Sequence, residues 1–343
     1  MRIGWLCRYS PARDLLYGGK AYEAMLYSFL CKNYDVKNIY PHASLNNTPM
    51  PLKWLHEFNA LRKFDNTDYD VLITDFYSAT MLNRDAKGRK IAIIHHLDSS
   101  QKNHPYLNTI LERKFLQKED KNDTVVVPSQ YWKDWLGNKG FCDVRVVYNG
   151  FNIAEYDSVS EETVETFREE YNLQDDKPII YIGPCQKAKG VVEAANALKD
   201  FNGKIITSGK QTVKTPATNL DLSRHDFICL LKAADVVVAL SKFKEGWNRV
   251  VHEAMLCKTP VIGTSQGGMT ELLNGGEQRI FYKNCSIWFN QLLALPEMVD
   301  AVFSGSRKLE DTGYEYAKQF TIERFEKGWR EVIENDISPD ESD

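Results

Sequence analysis

The stretch Glu245-Gly-Trp-Asn-Arg-Val-Val-His-Glu253 decides how this chain folds. The apolar run Val236–Leu240 precedes it, and Thr259-Pro-Val-Ile-Gly263 and Gly267-Gly-Met-Thr-Glu271 follow. Short apolar runs with helical stretches between them are the pattern of parallel strands joined by crossover helices. Glu245 then closes the loop after the first strand. The helix is expected to start near Gly246–Asn248, with Glu253 projecting from its second turn. Were both carboxylates helical, eight steps would leave them about 80° apart. Free N–H groups at the helix start form an anion site, and each Glu flanks whatever binds there. Two hydroxyl-accepting carboxylates around a phosphate pocket suit a sugar nucleotide.

Outward from this segment, apolar strands recur in both halves. The first half offers 2–7, 36–40, 71–74, 91–94, 125–128 and 144–148. The second offers 179–183, 204–208, 236–240, 260–263 and 279–281. Alternation with helices predicts an α/β protein of two Rossmann-like, doubly wound parallel-sheet domains facing a central cleft. The expected domains are 1–152 and 153–313. A last amphipathic helix over about 314–335 carries Phe320, Phe325, Trp329 and Ile333, and an acidic tail at 336–343 is expected to be disordered.

Composition sets the class. An apolar fraction of 43% and a charged fraction of 26% belong to a soluble globular protein, and 343 residues suffice for two domains. No apolar run reaches the ~20 residues of a membrane span, and Met1-Arg-Ile-Gly-Trp-Leu passes into a strand without a signal-peptide pattern. Seven scattered cysteines without a Cys-x-x-Cys pair favour reduced thiols in the cytoplasm. The net charge of -4 divides into +5 over residues 1–150 and -9 over the rest. The positive half leaves an anionic acceptor or peripheral contact with the cytoplasmic face of a membrane open, but ordinary solvated charge is the favoured reading. Neither half has Gly-x-Gly-x-x-Gly after its first strand, which argues against a dinucleotide-dependent dehydrogenase.

The segment 245–275 resembles the Glu-x7-Glu signature of the retaining glycosyltransferases of family 4, which have the GT-B fold. The resemblance is strongest over 179–275 and weaker in 1–150. It implies that Glu245 and Lys189 serve catalysis, with Glu245 on the sugar hydroxyls and Glu253 on the ribose. Gly246, Trp247 and Asn248 stand where the family has Gly-aromatic-Gly, and Asn at a helix start can cap it or bond a sugar hydroxyl. Gly267, Gly268 and Met269 open a further helix and would offer N–H groups to phosphate. Gly18 and Gly19, after the first strand, match a family glycine pair facing sugar and diphosphate. His95 and His96 end the strand 91–94, where the family has one His near the transferred sugar; the sequence does not choose between them. Lys189 and Gly190 match the family's Lys-Gly, but Pro184 occupies the position of its Arg. Lys187 is a candidate for the missing charge.

No metal site is expected. Asp68-Tyr-Asp70 looks like a metal-binding Asp-x-Asp but lies before its strand, the wrong end of a parallel sheet. The expected partners are a nucleotide diphosphate sugar and an unidentified acceptor: glycan, lipid carrier, protein or small molecule, and no nucleic acid. Alternatives are another GT-B sugar-nucleotide enzyme, such as an epimerase or phosphorylase, and an inactive scaffold serving as a partner subunit.

Overall fold

The computed structural model describes residues 1–8, 18–41, 50–65, 68–83, 85–98, 100, 105–117, 123–281, 292–303 and 305–334. Tyr17, Cys285 and the tail 336–343 lie outside them. Two compact units are formed: Met1–Tyr148 with Phe325–Asp343, and Asn149–Arg324.

The first unit holds strands β1 (Arg2–Leu6), β2 (Asp35–Asn38), β3 (Val71–Asp75), β4 (Arg89–Ile93), β5 (Thr124–Val127) and β6 (Val144–Val146). They form one parallel sheet in the order β2-β1-β3-β4-β5-β6. The helices are α1 (Gly18–Asn33), α2 (Met50–Arg62), α3 (Phe76–Met81), α4 (Pro105–Leu116) and α5 (Gln130–Gly137). Successive strand residues go to opposite faces, so β3 and β4 feed two cores. Val71, Ile73, Ile91 and Ile93 join Tyr22, Leu26 and Trp329 on one side. Leu72, Ala92 and Ile94 join Phe115 and Trp132 on the other.

The second unit begins with α6 (Ile153–Asp157) and α7 (Glu161–Glu170), then β7 (Ile179–Pro184), a 3₁₀ turn at Lys187–Lys189 and α8 (Val191–Ala197). There follow β8 (Lys204–Ser208), β9 (Thr218–Leu220), α9 (Arg224–Ala233), β10 (Val236–Ala239) and α10 (Arg249–Leu256). The unit continues with β11 (Val261–Thr264), α11 (Gly268–Gly275), β12 (Arg279–Phe281), α12 (Leu295–Phe303) and α13 (Ser306–Ala317). Its strands, again all parallel, run β12-β11-β10-β7-β8-β9. The Rossmann order is thereby reproduced, and the direction in which strands are added across the sheet reverses between β7 and β10. In such sheets ligands bind outside the carboxyl ends of the two strands at the reversal.

Two sequence expectations are corrected. β9 was not foreseen, because Thr-Asn-Leu is a short, half-exposed edge strand with no apolar run to announce it. The helix expected over 314–335 is two helices, α13 and α14 (Ile322–Glu334). Between them Phe320 turns its carbonyl to Phe151 N–H (2.9 Å), and Thr321 pairs with Phe151 in a β-bridge. Thr321 Oγ1 then accepts from Arg324 N–H at 3.3 Å, so a capping hydroxyl restarts the helix. The chain passes from the second unit to the first within α14, whose Phe325, Trp329 and Ile333 are buried in the first unit's core. No helix among the described residues is long and apolar enough to cross a membrane.

Candidate functional site

The strand reversal in the second unit puts the loop after β7 beside the loop after β10, and both carry chemistry. Lys189 ends the 3₁₀ turn after β7; Glu245 sits after β10. Lys189 Nζ lies 2.7 Å from Glu245 Oε1. Ser241 Oγ donates to the same oxygen, and Asn248 Nδ2 approaches it at 3.4 Å. The Glu245 carboxylate is thus buried yet solvated by three donors, which is what an acid with 6% exposure requires. Gly190, at φ +75, closes the turn; a Cβ there would meet the Leu240 carbonyl at 2.1 Å, so the two loops touch backbone to backbone. Lys187 is exposed one residue into the same turn, and the contact to Glu245 is made by Lys189. Pro184 ends β7, half-buried, where its register with β8 shifts.

Helix α10 starts at Arg249, just beyond the expected 246–248, and Glu253 lies on its second turn. Asn248 is its N-cap at φ +75, ψ 84, with Oδ1 accepting from Val251 N–H at 3.3 Å. That left-handed conformation explains the departure from the Gly-aromatic-Gly pattern. Gly adopts it freely, and Asn is among the few other residues that do. With Val251 N–H taken, the N–H groups of Arg249 and Val250 remain at the helix head for an anion. Gly246 is buried.

Gly267, at φ +67, forms a bridge with Glu245. Gly268 N–H donates to the Glu245 carbonyl at 2.8 Å. The expectation that Gly268 offers this N–H to phosphate is therefore corrected: it fixes the Glu245 backbone instead. Met269 is fully buried, its sulfur 3.2 Å from Asn248 Nδ2. The Trp247 side chain is buried, and its indole N–H donates to His252 Nδ1 at 3.0 Å.

Glu253 sits in a second buried cluster. Its Oε1 receives Arg224 Nη1 at 3.1 Å and the Tyr156 hydroxyl at 3.2 Å, with Arg249 Nη2 at 3.6 Å. Arg224 also forks onto Glu155 at 3.1 and 3.3 Å. Burial pulls the Arg224 pKa down, but Glu253, Tyr156 and Glu155 outweigh it and the net shift is upward. Burial and then the Glu253 charge raise the Tyr156 pKa, so the phenol stays a donor. Arg224, Tyr156 and Ser241 escaped the sequence reading. A capping Ser223 and Asp226 mark the α9 start, but nothing local announces Arg224's reach across to α10.

In the first unit, Gly18 (φ +60) and Gly19 lie within the first turn of α1 rather than ahead of it. A Cβ on Gly19 would lie 2.6 Å from His95 Cδ2. His95 Nε2 is 3.0 Å from Glu23 Oε1. His96 is half-buried beside it. Asp70 Oδ2 accepts from Arg2 N–H at 2.7 Å at the entry end of β3, remote along the strand from the carboxyl end.

Comparison with known proteins now places this architecture. Residues 19–155 match the family model described as Glycosyltransferase Family 4, and residues 163–288 match Glycosyl transferases group 1. An uncharacterized glycosyltransferase of Methanocaldococcus jannaschii is 27% identical over 244 residues, 66% of this chain and 64% of that protein. The chain thus spans under two thirds of that relative's length. Sucrose-phosphate synthase from Thermosynechococcus elongatus superposes with a TM-score of 0.74 at 17% identity, covering 98% of this chain and 99% of that one. HepE of Anabaena, in complex with UDP-glucose, gives 0.71 at 16% identity, covering 98% and 100%. The fold is of the GT-B type. The two family-model matches lie in series, one on 19–155 and the other on 163–288.

Proposed function

We propose that this protein is a retaining glycosyltransferase that moves a hexose from a nucleotide diphosphate sugar to an acceptor hydroxyl, without a metal ion. One observation carries the reading: Lys189 and Glu245 meet at the strand reversal of a Rossmann sheet, at the head of α10. As the glycosidic bond breaks, the leaving diphosphate gains charge. Lys189 and the Arg249 and Val250 N–H groups would stabilise it, each well-aimed donor being worth about 3–4 kcal/mol. Glu245 would accept sugar hydroxyls. Glu253, with Oε1 held by Arg224 and Tyr156, would turn Oε2 to the ribose. The acceptor oxygen attacks the face the diphosphate leaves, and its proton passes to the departing phosphate, so no protein nucleophile is needed. That HepE binds UDP-glucose makes uridine donors the first to try.

The test is incubation with UDP-glucose, GDP-mannose or ADP-glucose in EDTA, across glycan, polyprenyl phosphate, peptide and polyol acceptors. The anomeric proton of the product is then read by NMR. An α-linked product from the α-linked donor, at a rate indifferent to EDTA, is expected. A β-linked product would sink retention, and strict magnesium dependence would sink the metal-free mechanism.

A further inference from the structure

We propose that Glu23 is a positioning residue for His95, holding its ring as the Nε2–H tautomer so that Nδ1 is presented to a sugar hydroxyl. The inference rests on the glycosyltransferase reading for the identity of that hydroxyl, but not for the tautomer. His95 follows β4 and Glu23 lies on α1, so the pair joins two elements across 72 residues of sequence. An ionised carboxylate has only acceptor capacity, and at 3.0 Å it requires the proton to be on Nε2. Which nitrogen of a histidine is protonated is set by the bond the other makes. Nδ1 is the remaining acceptor, on a side chain that keeps 23% exposure.

The ring is fixed from several sides. Gly19, one helical turn before Glu23, leaves room for it, and a Cβ there would lie 2.8 Å from Nε2. Tyr22 meets it edge-on, with centroids 5.2 Å apart at 85°. Tyr22 is itself held, donating to the Val147 carbonyl at 3.0 Å and accepting from Trp329 Nε1 at 3.1 Å.

Glu23 is not explained by packing alone. It is 7% exposed, and its Oε2 is buried without a hydrogen-bond partner among the described residues. An unsatisfied buried carboxylate oxygen destabilises a fold and calls for another reason to be there. The nearby buried acid differs. Asp75 uses both oxygens, accepting from Ser78 N–H and Arg8 N–H at 2.8 Å each, and so caps α3 and holds the end of β1. Among the described residues Glu23 makes no such backbone bond, and its Oε1 pairs with His95.

The full-length, ¹⁵N-labelled protein is examined by two-bond ¹H–¹⁵N spectra of the neutral ring, with His95 assigned through its loss in His95→Asn. A bare Nδ1 and a protonated Nε2 are expected in the wild type and in Glu23→Gln, whose amide oxygen accepts the same bond. Glu23→Ala should show averaged tautomers. A protonated Nδ1 in the wild type, or a Glu23→Ala spectrum identical to it, overturns the proposal. In transfer assays Glu23→Ala should lower kcat about tenfold, the low end of what losing an orienting partner costs a metal-bound histidine. KM and nucleotide affinity should stay within about twofold, and Glu23→Gln should recover most of the rate. An altered tautomer with unchanged kcat also overturns it. If no sugar is transferred at all, the spectra still decide the tautomer, and the transferase reading falls separately.

Discussion

Lys189 Nζ and Glu245 Oε1 stand 2.7 Å apart although 56 residues separate them in sequence. The contact exists because β7 and β10, adjacent at the reversal of the sheet, deliver their following loops to one place. On the proposed function, the lysine leaves this carboxylate for the departing diphosphate. Lys189→Ala should lower kcat/KM by roughly 10²–10³, the loss typical of one preorganised donor. Glu245 is buried but keeps Ser241 and Asn248 as donors, so loss of the lysine should also lower stability by about 1–3 kcal/mol. Steady-state kinetics beside urea unfolding separates the two effects; a large loss of stability with intact turnover would assign the pair to the fold alone.

Arg224 protects the fold more than Lys189 does. Its guanidinium serves Glu253, Glu155 and Tyr156 together, and Glu253 is buried. Arg224→Ala leaves that carboxylate with only Tyr156 and the longer approach of Arg249, and should cost about 3–5 kcal/mol in urea unfolding. Arg224→Lys should recover little, because an ammonium cannot reproduce the fork. Full recovery by lysine would show that charge, not geometry, holds the cluster.

His252 should make stability depend on pH. It is fully buried, accepting from Trp247 Nε1 on Nδ1 and donating from Nε2 to the Ala317 carbonyl at 3.0 Å, with Phe151 stacked on it at 3.9 Å. Burial, with Arg249 adding repulsion, lowers its pKa from 6.5 to about 3. The unfolded chain therefore binds a proton that the native state refuses. The contribution is whole above pH 6.5 and is lost as pH falls toward 3, by up to about 1.4 kcal/mol per pH unit. Asp75, raised to about 6 chiefly by burial, works in the opposite sense as its native state takes up a proton first. Comparing wild type with His252→Gln at pH 7 and pH 5 isolates the histidine. The variant's unfolding midpoint should fall less; an equal fall in both would contradict this account.

Gly267 cannot carry a side chain. Its φ of +67 disfavours one, and a Cβ would meet the Glu245 carbonyl oxygen at 2.3 Å and its nitrogen at 2.7 Å. Backbone cannot yield as a side chain does, so Gly267→Ala should cost at least ~1–3 kcal/mol. It should also lower turnover by displacing Glu245. A melting curve and an initial rate on the same sample suffice; an unchanged pair of values would mean the strap between the two loops is dispensable.

Much of this was legible in the sequence. Core strands such as Val236–Ala239 and Ile179–Pro184 announce themselves as apolar runs because both faces are buried. The Glu-Gly loop and the following helix were readable from residue type and order. Edge strand β9 was not, since an exposed edge needs no apolar run. The break at Phe320–Thr321 was hidden because the apolar spacing continues through it, and only the pairing with Phe151 interrupts the helix. That the Trp247 indole N–H bonds His252 was not readable from the Gly-Trp-Asn pattern. Arg224 on Glu253 and Glu23 on His95 join residues 29 and 72 positions apart, and such pairings leave no local pattern.

On the proposed function, the second unit binds a nucleoside diphosphate at the head of α10. Isothermal titration with UDP, GDP and ADP, first in EDTA and then with magnesium, tests it most directly. Binding of one nucleotide in EDTA, weakened by Lys189→Ala and abolished by Glu253→Ala, is the predicted result. No binding of any of the three to a folded sample, with or without magnesium, would contradict it.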